Sequence, residues 1–340
     1  MSTKVRLAII GAGGISHAHA NGILKHQDKV ECVALCDVSE ANLDSRSKQL
    51  GYNPARFSDW KKMLAEMGDK IDAVDICLPH HLHAPAIFDA AAAGKHILCE
   101  KPMCINLEEA DRIVAAVKKA GIIYMSAHNQ LFNPSVKEIK RMIDAGDLGK
   151  VRWLRSQDCF LAGGGAAGGA FKGAWRANLK MQGGGELIDT GYHPCYRLMH
   201  LAGGDIAEIR GTMGRYEQEI EGEDTASVQV RFANGVIGEV FTSWAFSRPY
   251  GTHELHVIGD RGEVFGTGNK LYFLPRGFNT PSEKILPEAD TFSDQMGYFA
   301  DCIQKGLPVP HGPEQGRDVL KIILKASENA DGWQKSARKA

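Results

Sequence analysis

Short apolar segments alternate with amphipathic ones over the first part of the chain. The apolar runs that predict buried strands occupy residues 5–11, 30–37, 73–79, 96–102 and 122–128. Segments with a helical period lie between them, at residues 15–26, 84–95 and 106–121. The last of these ends at Gly121, a residue typical of a helix C-cap. Strand–helix alternation of this kind predicts βαβ units and a parallel sheet.

The pattern changes from about residue 150. Longer segments that alternate apolar and polar residues occupy residues 150–160, 226–235, 236–247, 252–260 and 261–267. Turn sequences such as Ala-Asn-Gly and Gly-Asp-Arg-Gly join them, as is typical of antiparallel hairpins. Two helical patterns follow, around residues 291–305 and 313–332. We therefore expect an α/β protein of two domains, 1–126 and 127–340, whose C-terminal helices could pack back on the first domain.

Composition and charge narrow the class of protein. The chain has 340 residues, 24% charged and 44% hydrophobic, as is typical of an ordinary two-domain soluble protein. A formal net charge of −1 gives no electrostatic reason to expect nucleic acid or a membrane surface as a partner. We expect no membrane span, since no apolar run approaches the required ~18 to 20 residues, and no signal peptide, since a short polar tail leads directly into a strand. Eight cysteines without a CxxC pair predict reduced core thiols and a cytoplasmic location.

A glycine-rich turn joins the first predicted strand to the first predicted helix. Its residues are Gly11, Gly13, Gly14, Ile15 and Ser16. This context is that of a dinucleotide-binding fingerprint, in which Gly11 permits the tight turn and Gly13 lets a pyrophosphate approach helix amides. Ser16 replaces the usual third glycine. Asp37 ends the next strand and is expected to bind the adenosine ribose, although a glycine turn beside a surface acid is the alternative.

A charge pair lies at the end of the strand predicted at 96–102. Ligands of parallel sheets bind beyond the carboxyl ends of the strands, so Lys101 is expected to point into the cofactor crevice. Glu100 would keep its ammonium group charged or fix its direction, and Pro102 restricts the turn. A surface ion pair is the alternative interpretation.

A second constellation contains Asp189 and His193. Their spacing of four would put them on one face of a helix, after three glycines at 183–185 that let a backbone or ligand come close. Pro194 requires this helix to begin near Asp189 or to be distorted there. An isolated Asp-x-x-x-His is otherwise a surface pair. The nucleotide fold and the strand-end lysine favour a catalytic interpretation here.

The segments GAGGIS, LPHHLHAPAIFDAAAAGKHILCEKPM, FNPSVKEIKRMIDAGDLGKV and GGGELIDTGYHPCYRLMHLAGG together carry a family resemblance. The sequence resembles the glucose–fructose oxidoreductase/inositol dehydrogenase/MocA (Gfo/Idh/MocA) family over nearly its whole length. The resemblance implies an N-terminal Rossmann doubly wound parallel sheet and a C-terminal α/β domain with an open, mostly antiparallel sheet that often mediates oligomerisation. It also implies bound NAD(P), a cis Lys101–Pro102 bond and redox chemistry on a sugar, cyclitol or related carbinol.

Site residues follow from the motifs and the resemblance together. The expected catalytic residues are Lys101, Asp189 and His193. The expected cofactor-binding residues are Gly11, Gly13, Gly14, Ile15, Ser16, Asp37, Leu78, Pro79, His80, His83, Glu100, Lys101 and Asn129. The expected substrate-binding residues are Lys101, His128, Asn129, Phe160, Trp175, Arg176, Asp189 and His193. The chain departs from the family at Ser16, at Tyr196, where many members carry aspartate, and at Leu131, where an arginine is usual.

Two further segments invite a functional interpretation. The histidines His80, His81 and His83 lack an acid or cysteine at ligand spacing, so we expect a loop near the nucleotide and no metal. The glycine-rich segment 161–185 is interleaved with Phe160, Phe171, Trp175 and Arg176. It fits either a flexible loop or a lid over a polar ligand.

The expected reaction is NAD-dependent oxidation of a ring secondary hydroxyl of a neutral sugar, glycoside or cyclitol to a ketone. His193 or Lys101 would take the hydroxyl proton, and the sequence does not decide between them. NAD should be preferred to NADP, because Asp37 would repel a 2′-phosphate. The alternatives are redox-neutral glycoside cleavage with recycled NAD and a non-catalytic cofactor-sensing protein. A homodimer or homotetramer is expected, because the C-terminal strands carry surplus aromatic surface.

Overall fold

The computed structural model describes residues 4–165 and 171–330. The chain forms two compact units. The first contains the residues up to Asn129 together with Asp290–Arg317, and the second contains Gln130–Ala289 and the chain from Asp318. Each unit is built around its own β-sheet.

The first unit contains a six-stranded parallel sheet. Its strands are β1 (Val5–Ile10), β2 (Val30–Cys36), β3 (Ala55–Phe57), β4 (Ala73–Ile76), β5 (His96–Cys99) and β6 (Tyr124–Ser126). Their order is β3-β2-β1-β4-β5-β6, and every neighbouring pair is parallel. This arrangement confirms the predicted doubly wound Rossmann sheet. The short edge strand β3 was not predicted.

Among the described residues, six α-helices lie wholly within this unit. They are α1 (Ser16–Lys25), α2 (Glu40–Leu50), α3 (Trp60–Met67), α4 (His83–Ala92), α5 (Leu107–Ala120) and α9 (Thr291–Lys305). The predicted end of α5 is confirmed, because Gly121 adopts the left-handed conformation with φ 64°. At its start, the Asn106 side chain accepts a hydrogen bond from the Glu109 amide at 2.8 Å. Helices α2 and α3 were not predicted.

The core of the first unit joins elements from both ends of the chain. Leu7 and Ile9 of β1 pack in one buried cluster with Ile23 of α1 and Phe299 of α9. Helix α9 also approaches α1 at Gly22, where a Cβ atom would lie 2.9 Å from that of Met296. The first unit therefore obtains part of its core from a helix that follows the second sheet in the sequence.

The second unit contains an eight-stranded sheet. Its strands are β7 (Val151–Cys159), β8 (Ile206–Gly214), β9 (Thr225–Phe232), β10 (Ile237–Ser243), β11 (Leu255–Gly259), β12 (Gly262–Thr267), β13 (Lys270–Pro275) and β14 (Ser282–Ile285). Their order is β14-β13-β12-β11-β7-β10-β9-β8. Only β7 and β10 pair in parallel. The predicted mostly antiparallel sheet is confirmed, with β8, β13 and β14 in addition.

One face of this sheet is covered by helices. The helices outside the first group are α6 (Pro134–Asp144), α7 (Leu179–Gln182), α8 (Tyr192–Ala202) and α10 (Pro313–Glu328). Along β9, Val228 and Val230 are buried, whereas Gln229 and Arg231 are exposed. Helix α8 packs on β7 and β10 so closely that a Cβ at Gly238 would lie 2.9 Å from the Leu198 side chain. The apolar half of the alternating pattern thus faces the helices.

Two global expectations concern cysteines and membranes. All eight cysteines are free thiols, and all but Cys159 are buried, which confirms the interpretation as core thiols. Among the described residues, no helix is both long and apolar enough to span a lipid bilayer.

Candidate active site

The glycine-rich turn after β1 leaves space above its backbone. Gly11 has φ 95°, and a Cβ there would lie 2.4 Å from the Cys77 carbonyl oxygen, so only glycine fits. At Gly13 and Gly14 a Cβ would meet no atom within 4 Å. Helix α1, which begins at Ser16, has no side-chain cap on its first amides. An uncapped helix start behind an open glycine turn fits the pyrophosphate of a dinucleotide.

Ser16 contributes packing and hydrogen bonds beneath this turn. Its hydroxyl donates to the Gly13 carbonyl at 2.6 Å and accepts from Arg46 Nε at 3.0 Å. Arg46 Nη2 also contacts the Gly13 carbonyl at 3.3 Å. Sequence reasoning missed this buried arginine. Its signal is the position that it shares with Leu43 and Leu50 on the buried face of α2.

Asp37 is fixed against the same turn. One carboxylate oxygen accepts from the Ala12 amide at 2.7 Å, and the other accepts from the Ser39 amide at 2.8 Å. The Asn42 side-chain amide lies 3.3 Å from both oxygens. The carboxylate therefore lies beside the open glycine turn in a defined orientation, where it could accept from ribose hydroxyls.

In the segment after β5, Lys101 lies between Glu100 and Pro102, and each of these neighbours contacts a histidine ring. Glu100 Oε1 lies 2.9 Å from His19 Nε2, and Glu100 Oε2 accepts from the Lys101 amide at 3.2 Å. On the other side, the Pro102 carbonyl lies 2.6 Å from His83 Nδ1. The Lys101–Pro102 peptide bond is cis, as the resemblance implied.

The predicted cofactor residues after β4 lie in a short helical turn. Pro79 precedes a 3₁₀ turn over His80–Leu82, and His80 is buried. The His83 ring is also buried, and its Nε2 lies 2.7 Å from the Leu78 carbonyl. Both ring nitrogens of His83 thus face backbone carbonyls, and the ring ties the segment after β4 to the segment after β5.

His128 and Asn129 end the first part of the first unit. Both side chains are buried. The Asn129 amide donates to Thr291 Oγ1 at 3.0 Å, and the His128 ring lies 5.4 Å from that of His311. These contacts join the segment after β6 to the first residue of α9 and to His311 in the segment after that helix.

In the second unit, close packing shapes the turn that carries Asp189. A Cβ at Gly185 would lie 2.0 Å from the Glu223 carbonyl oxygen, and one at Gly191 would lie 2.7 Å from the Leu187 Cα. Asp189 is only 4% exposed, and its Oδ2 accepts from Arg176 Nε at 2.6 Å. The two predicted site residues Asp189 and Arg176 thus form an ion pair.

The prediction that Asp189 and His193 share a helix face is wrong. Helix α8 begins at Tyr192, so Asp189 lies in the turn before it and His193 in the first helical turn. Pro194 also lies in this first turn, where a backbone N–H has no intrahelical partner and proline costs little. A late helix start, one of the two arrangements that Pro194 allowed, therefore explains the proline.

His193 contacts the residue that departs from the family pattern. His193 Nδ1 lies 2.7 Å from the hydroxyl of Tyr196, one turn further along α8. The same hydroxyl accepts from the Gln130 amide at 3.2 Å. Tyr196 is buried. This tyrosine therefore gives the imidazole a fixed hydrogen-bonding partner at the position where many family members carry aspartate.

The aromatic residues of the glycine-rich segment have different environments. The Arg176 guanidinium lies 4.3 Å above the Trp175 ring, and Phe160, just after β7, is 42% exposed. Phe171 packs on the buried Trp244, with ring centroids 4.2 Å apart. Residues 166–170 of this segment lie outside the described residues. The segment that begins at Phe171 is anchored by the contact of this ring with Trp244. The sequence did not predict this contact.

A buried acid lies beneath the Asp189 turn. Glu186 is fully buried, and burial, together with the nearby acids Glu223 and Asp158, raises its pKa well above the usual range. Thr242 Oγ1 lies 3.0 Å from the Asp158 carbonyl and 2.5 Å from Glu186 Oε1. A hydroxyl has one hydrogen to donate. If that hydrogen goes to the carbonyl, a protonated Glu186 donates to Thr242, and the acid is neutral.

Comparison with known proteins gives similarity over nearly the whole chain. The chain is 28% identical over 322 residues to scyllo-inositol 2-dehydrogenase (NAD(+)) of Bacillus subtilis. This alignment covers 90% of this chain and 88% of the relative. It is 29% identical over 349 residues to D-glucoside 3-dehydrogenase of Escherichia coli, with 97% and 96% covered. A solved levoglucosan dehydrogenase, in complex with NADH and levoglucosan, has the same fold, with a TM-score of 0.86 and 20% sequence identity. The match covers 96% of this chain and 97% of the other.

Family models match both units. The model described as "Oxidoreductase family, NAD-binding Rossmann fold" matches residues 5–128. The model described as "GFO/IDH/MocA C-terminal domain" matches residues 136–265. The two matches together span more than half of the chain, and each lies within one of the two units. The chain therefore belongs to the Gfo/Idh/MocA family of oxidoreductases, with NAD as the cofactor of its Rossmann domain.

Proposed function

We propose that the protein oxidises a ring secondary hydroxyl of a neutral sugar, glycoside or cyclitol to a ketone. The observation that carries this proposal is the ion pair between Arg176 and Asp189, at 2.6 Å. In this pair, the carboxylate of Asp189 compensates the positive charge of Arg176, the predicted substrate-binding arginine of the same unit. A phosphorylated substrate would need cationic groups with no such partner, whereas a polyol needs paired donors and acceptors. The names of the inositol, glucoside and levoglucosan dehydrogenases support the same substrate class.

The chemical roles in this proposal belong to Lys101, His193 and Asp189. NAD, when bound, accepts the hydride that leaves the carbinol carbon. Lys101 Nζ donates a hydrogen bond to the substrate oxygen and stabilises its developing negative charge. His193 Nε2 takes the hydroxyl proton. Asp189, held by Arg176, accepts from a neighbouring substrate hydroxyl.

Tyr196 supports the proposed role of His193. For Nε2 to accept a proton, the hydrogen of the neutral ring must lie on Nδ1. The Tyr196 hydroxyl, 2.7 Å away, has lone pairs for both this N–H and the Gln130 amide. In this proposal the tyrosine acts as the acceptor that orients the imidazole, without adding a negative charge.

The proposed NAD contacts lie along the carboxyl edge of the parallel sheet. The glycine turn with Ile15 and Ser16 would bind the pyrophosphate, and Asp37 would bind the adenosine ribose. The further contacts proposed for the cofactor are Leu78, Pro79, His80, His83, Glu100, Lys101 and Asn129. For substrate, His128, Asn129, Phe160 and Trp175 are proposed in addition to the catalytic residues and Arg176. A cytoplasmic location also belongs to the proposal, supported by eight free thiols.

An oligomeric state forms part of the proposal. On the open face of the second sheet, Trp153 lies 5.3 Å from His256, which lies 5.3 Å from Phe265. Phe265 in turn stacks on Tyr272 at 5.6 Å. This aromatic row crosses β7, β11, β12 and β13. Trp244, in the segment from which surplus aromatic surface was predicted, is buried instead. We propose that the row packs on a second copy of the chain, in a homodimer or homotetramer.

Cofactor choice tests the role of Asp37. NAD should be preferred to NADP by well over tenfold in kcat/KM, because like charges at the 2′-phosphate cost several kcal/mol. Asp37→Asn should narrow this gap while leaving an oxygen to accept from Ala12. Asp44→Asn, a change of an exposed acid on α2, the helix that follows Asp37, is the matched control and should leave the preference intact. Equal efficiency of the wild type with both cofactors would contradict the prediction.

Turnover of site variants tests the chemistry. Lys101→Ala and His193→Ala should each lower kcat by roughly 10²- to 10⁴-fold, the range of a positioned acid–base group. NAD affinity, measured by fluorescence titration, should survive the His193 change. Tyr196→Phe should cost up to about tenfold, the net value of one hydrogen bond. His200→Gln, in the last turn of α8, serves as the control. Near wild-type turnover of His193→Ala would refute the assignment.

A substrate panel tests the proposed class. Inositols, free sugars, glycosides, sugar phosphates and uronates are assayed with NAD, and neutral compounds should be used most efficiently, with one NADH per ketone. Aglycone release without NADH would identify redox-neutral cleavage instead, and inert NADH-bound protein across the panel would identify a cofactor sensor. If phosphates or uronates are at least tenfold better, the proposal fails, and Arg176 with Lys172 and Lys180 becomes the anion site.

Sedimentation at micromolar concentration tests the assembly. The wild type should sediment as a dimer or tetramer. Phe265→Lys should weaken the association, because it places a charge in the aromatic row. Tyr250→Lys, at an exposed aromatic residue outside the row, is the control and should leave the oligomer unchanged. A wild-type monomer would contradict the prediction.

A further inference from the structure

A buried histidine lies between two carboxylates beneath the Lys101 segment. His19, on α1, is 1% exposed, and its Nδ1 lies 3.0 and 2.9 Å from the two oxygens of Asp75. Its Nε2 lies 2.9 Å from Glu100 Oε1. Asp75 is fully buried at the centre of β4, and Glu100 is 7% exposed at the end of β5. The imidazole therefore links the helix that follows the glycine turn to two neighbouring strands.

The hydrogen bonds determine the charge of this ring. An ionised carboxylate only accepts, so two such partners require an N–H on each ring nitrogen, and His19 is then an imidazolium. Burial opposes that charge, but the charge of Asp75 raises the pKa of His19 well above its usual range. Burial likewise opposes ionisation of Glu100, but the bond from His19 lowers its pKa. The charge of Lys101 also lowers the pKa of Glu100.

A metal centre is the alternative explanation of this cluster. In the described residues 4–165 and 171–330, His19, Asp75 and Cys77 are the one group of three metal-ligating side chains whose ligand atoms lie within 4.8 Å of one another. A ligand nitrogen must be deprotonated, but Nδ1 is occupied by a hydrogen bond to Asp75. Burial raises the pKa of the Cys77 thiol to about 12, which disfavours the thiolate that a metal would bind. Hydrogen bonding accounts for the cluster without a metal.

We propose that His19 is a positioning residue for Lys101, acting through Glu100. The imidazolium fixes Glu100 Oε1, and Glu100 Oε2 accepts a hydrogen bond from the Lys101 amide at 3.2 Å. These contacts fix the position of the Lys101 backbone relative to α1. The cofactor pyrophosphate is proposed to bind at the start of this helix. Catalysis depends strongly on such placement, since a misplacement of about 1 Å can cost ~10²-fold. This inference rests on the proposed role of Lys101 in hydride transfer.

The experiment is a double-mutant cycle between His19 and Lys101. His19→Gln keeps a side chain of similar length but removes the positive charge and one of the two opposed donors. We expect kcat to fall by roughly 10- to 100-fold, with less than a threefold change in NAD affinity. In a Lys101→Ala background, the same substitution should change kcat by less than twofold, because the group that it positions is absent. His17→Gln, at an exposed histidine on the same helix, is the matched control and should retain wild-type kcat.

The outcomes separate this inference from the proposed function. If Lys101→Ala retains wild-type turnover, the proposed role of the lysine fails, and the positioning role fails with it. If Lys101→Ala is impaired but His19→Gln is not, or if His19→Gln lowers kcat by the same factor in both backgrounds, only the positioning role is overturned. Stoichiometric metal in the wild type that His19→Gln loses would also overturn it. Should His19→Gln not fold, Glu100→Gln tests the same link and should show the same dependence on Lys101.

Discussion

Parallel pairing of β1 with β2 and β4 is the constraint on which the chemistry of the first unit depends. In a parallel sheet the carboxyl ends of the strands meet at one edge. The glycine turn, Asp37 and Lys101 are therefore brought to that edge, although they are far apart in sequence. The contacts leave little freedom: Asp37 accepts from the Ala12 amide at 2.7 Å, and a Cβ on Gly11 would overlap the Cys77 carbonyl. A change in strand order would separate these groups, whatever their identities.

Several elements with clear apolar periodicity were predicted from the sequence, but α3 and α6, which are also amphipathic, were not. The central strands and the helix ending at Gly121 have clear patterns and were predicted, whereas α2 carries mainly polar residues and β3 has only three. Sequence spacing predicted the wrong backbone conformation where close packing at a glycine delays the start of the helix. Asp189 and His193 are four apart, yet Gly191 packs against Leu187 and the helix begins only at Tyr192. Local sequence therefore predicted candidate site residues but not the backbone conformation between Asp189 and His193.

Partners of buried polar side chains could not be predicted, because they depend on tertiary packing. His19 meets Asp75 and Glu100, which lie 56 and 81 residues away. His83 is equally buried and also has two acceptors, but these are carbonyl oxygens, and burial lowers the pKa of its ring. The pKa values of these two histidines near one segment are therefore shifted in opposite directions. The difference comes from the charge of the acceptors, which no spacing in the sequence reveals.

Burial also changes how the charges of the second unit should be counted. The sequence supplies Asp158, Glu186, Asp189 and Glu223, which would together form a strongly negative group. Burial raises the pKa of Asp158, Glu186 and Glu223. The carboxylate of Asp189 is matched by Arg176. Formal charges thus predict a strongly negative group, whereas desolvation and pairing leave these four residues with little net charge.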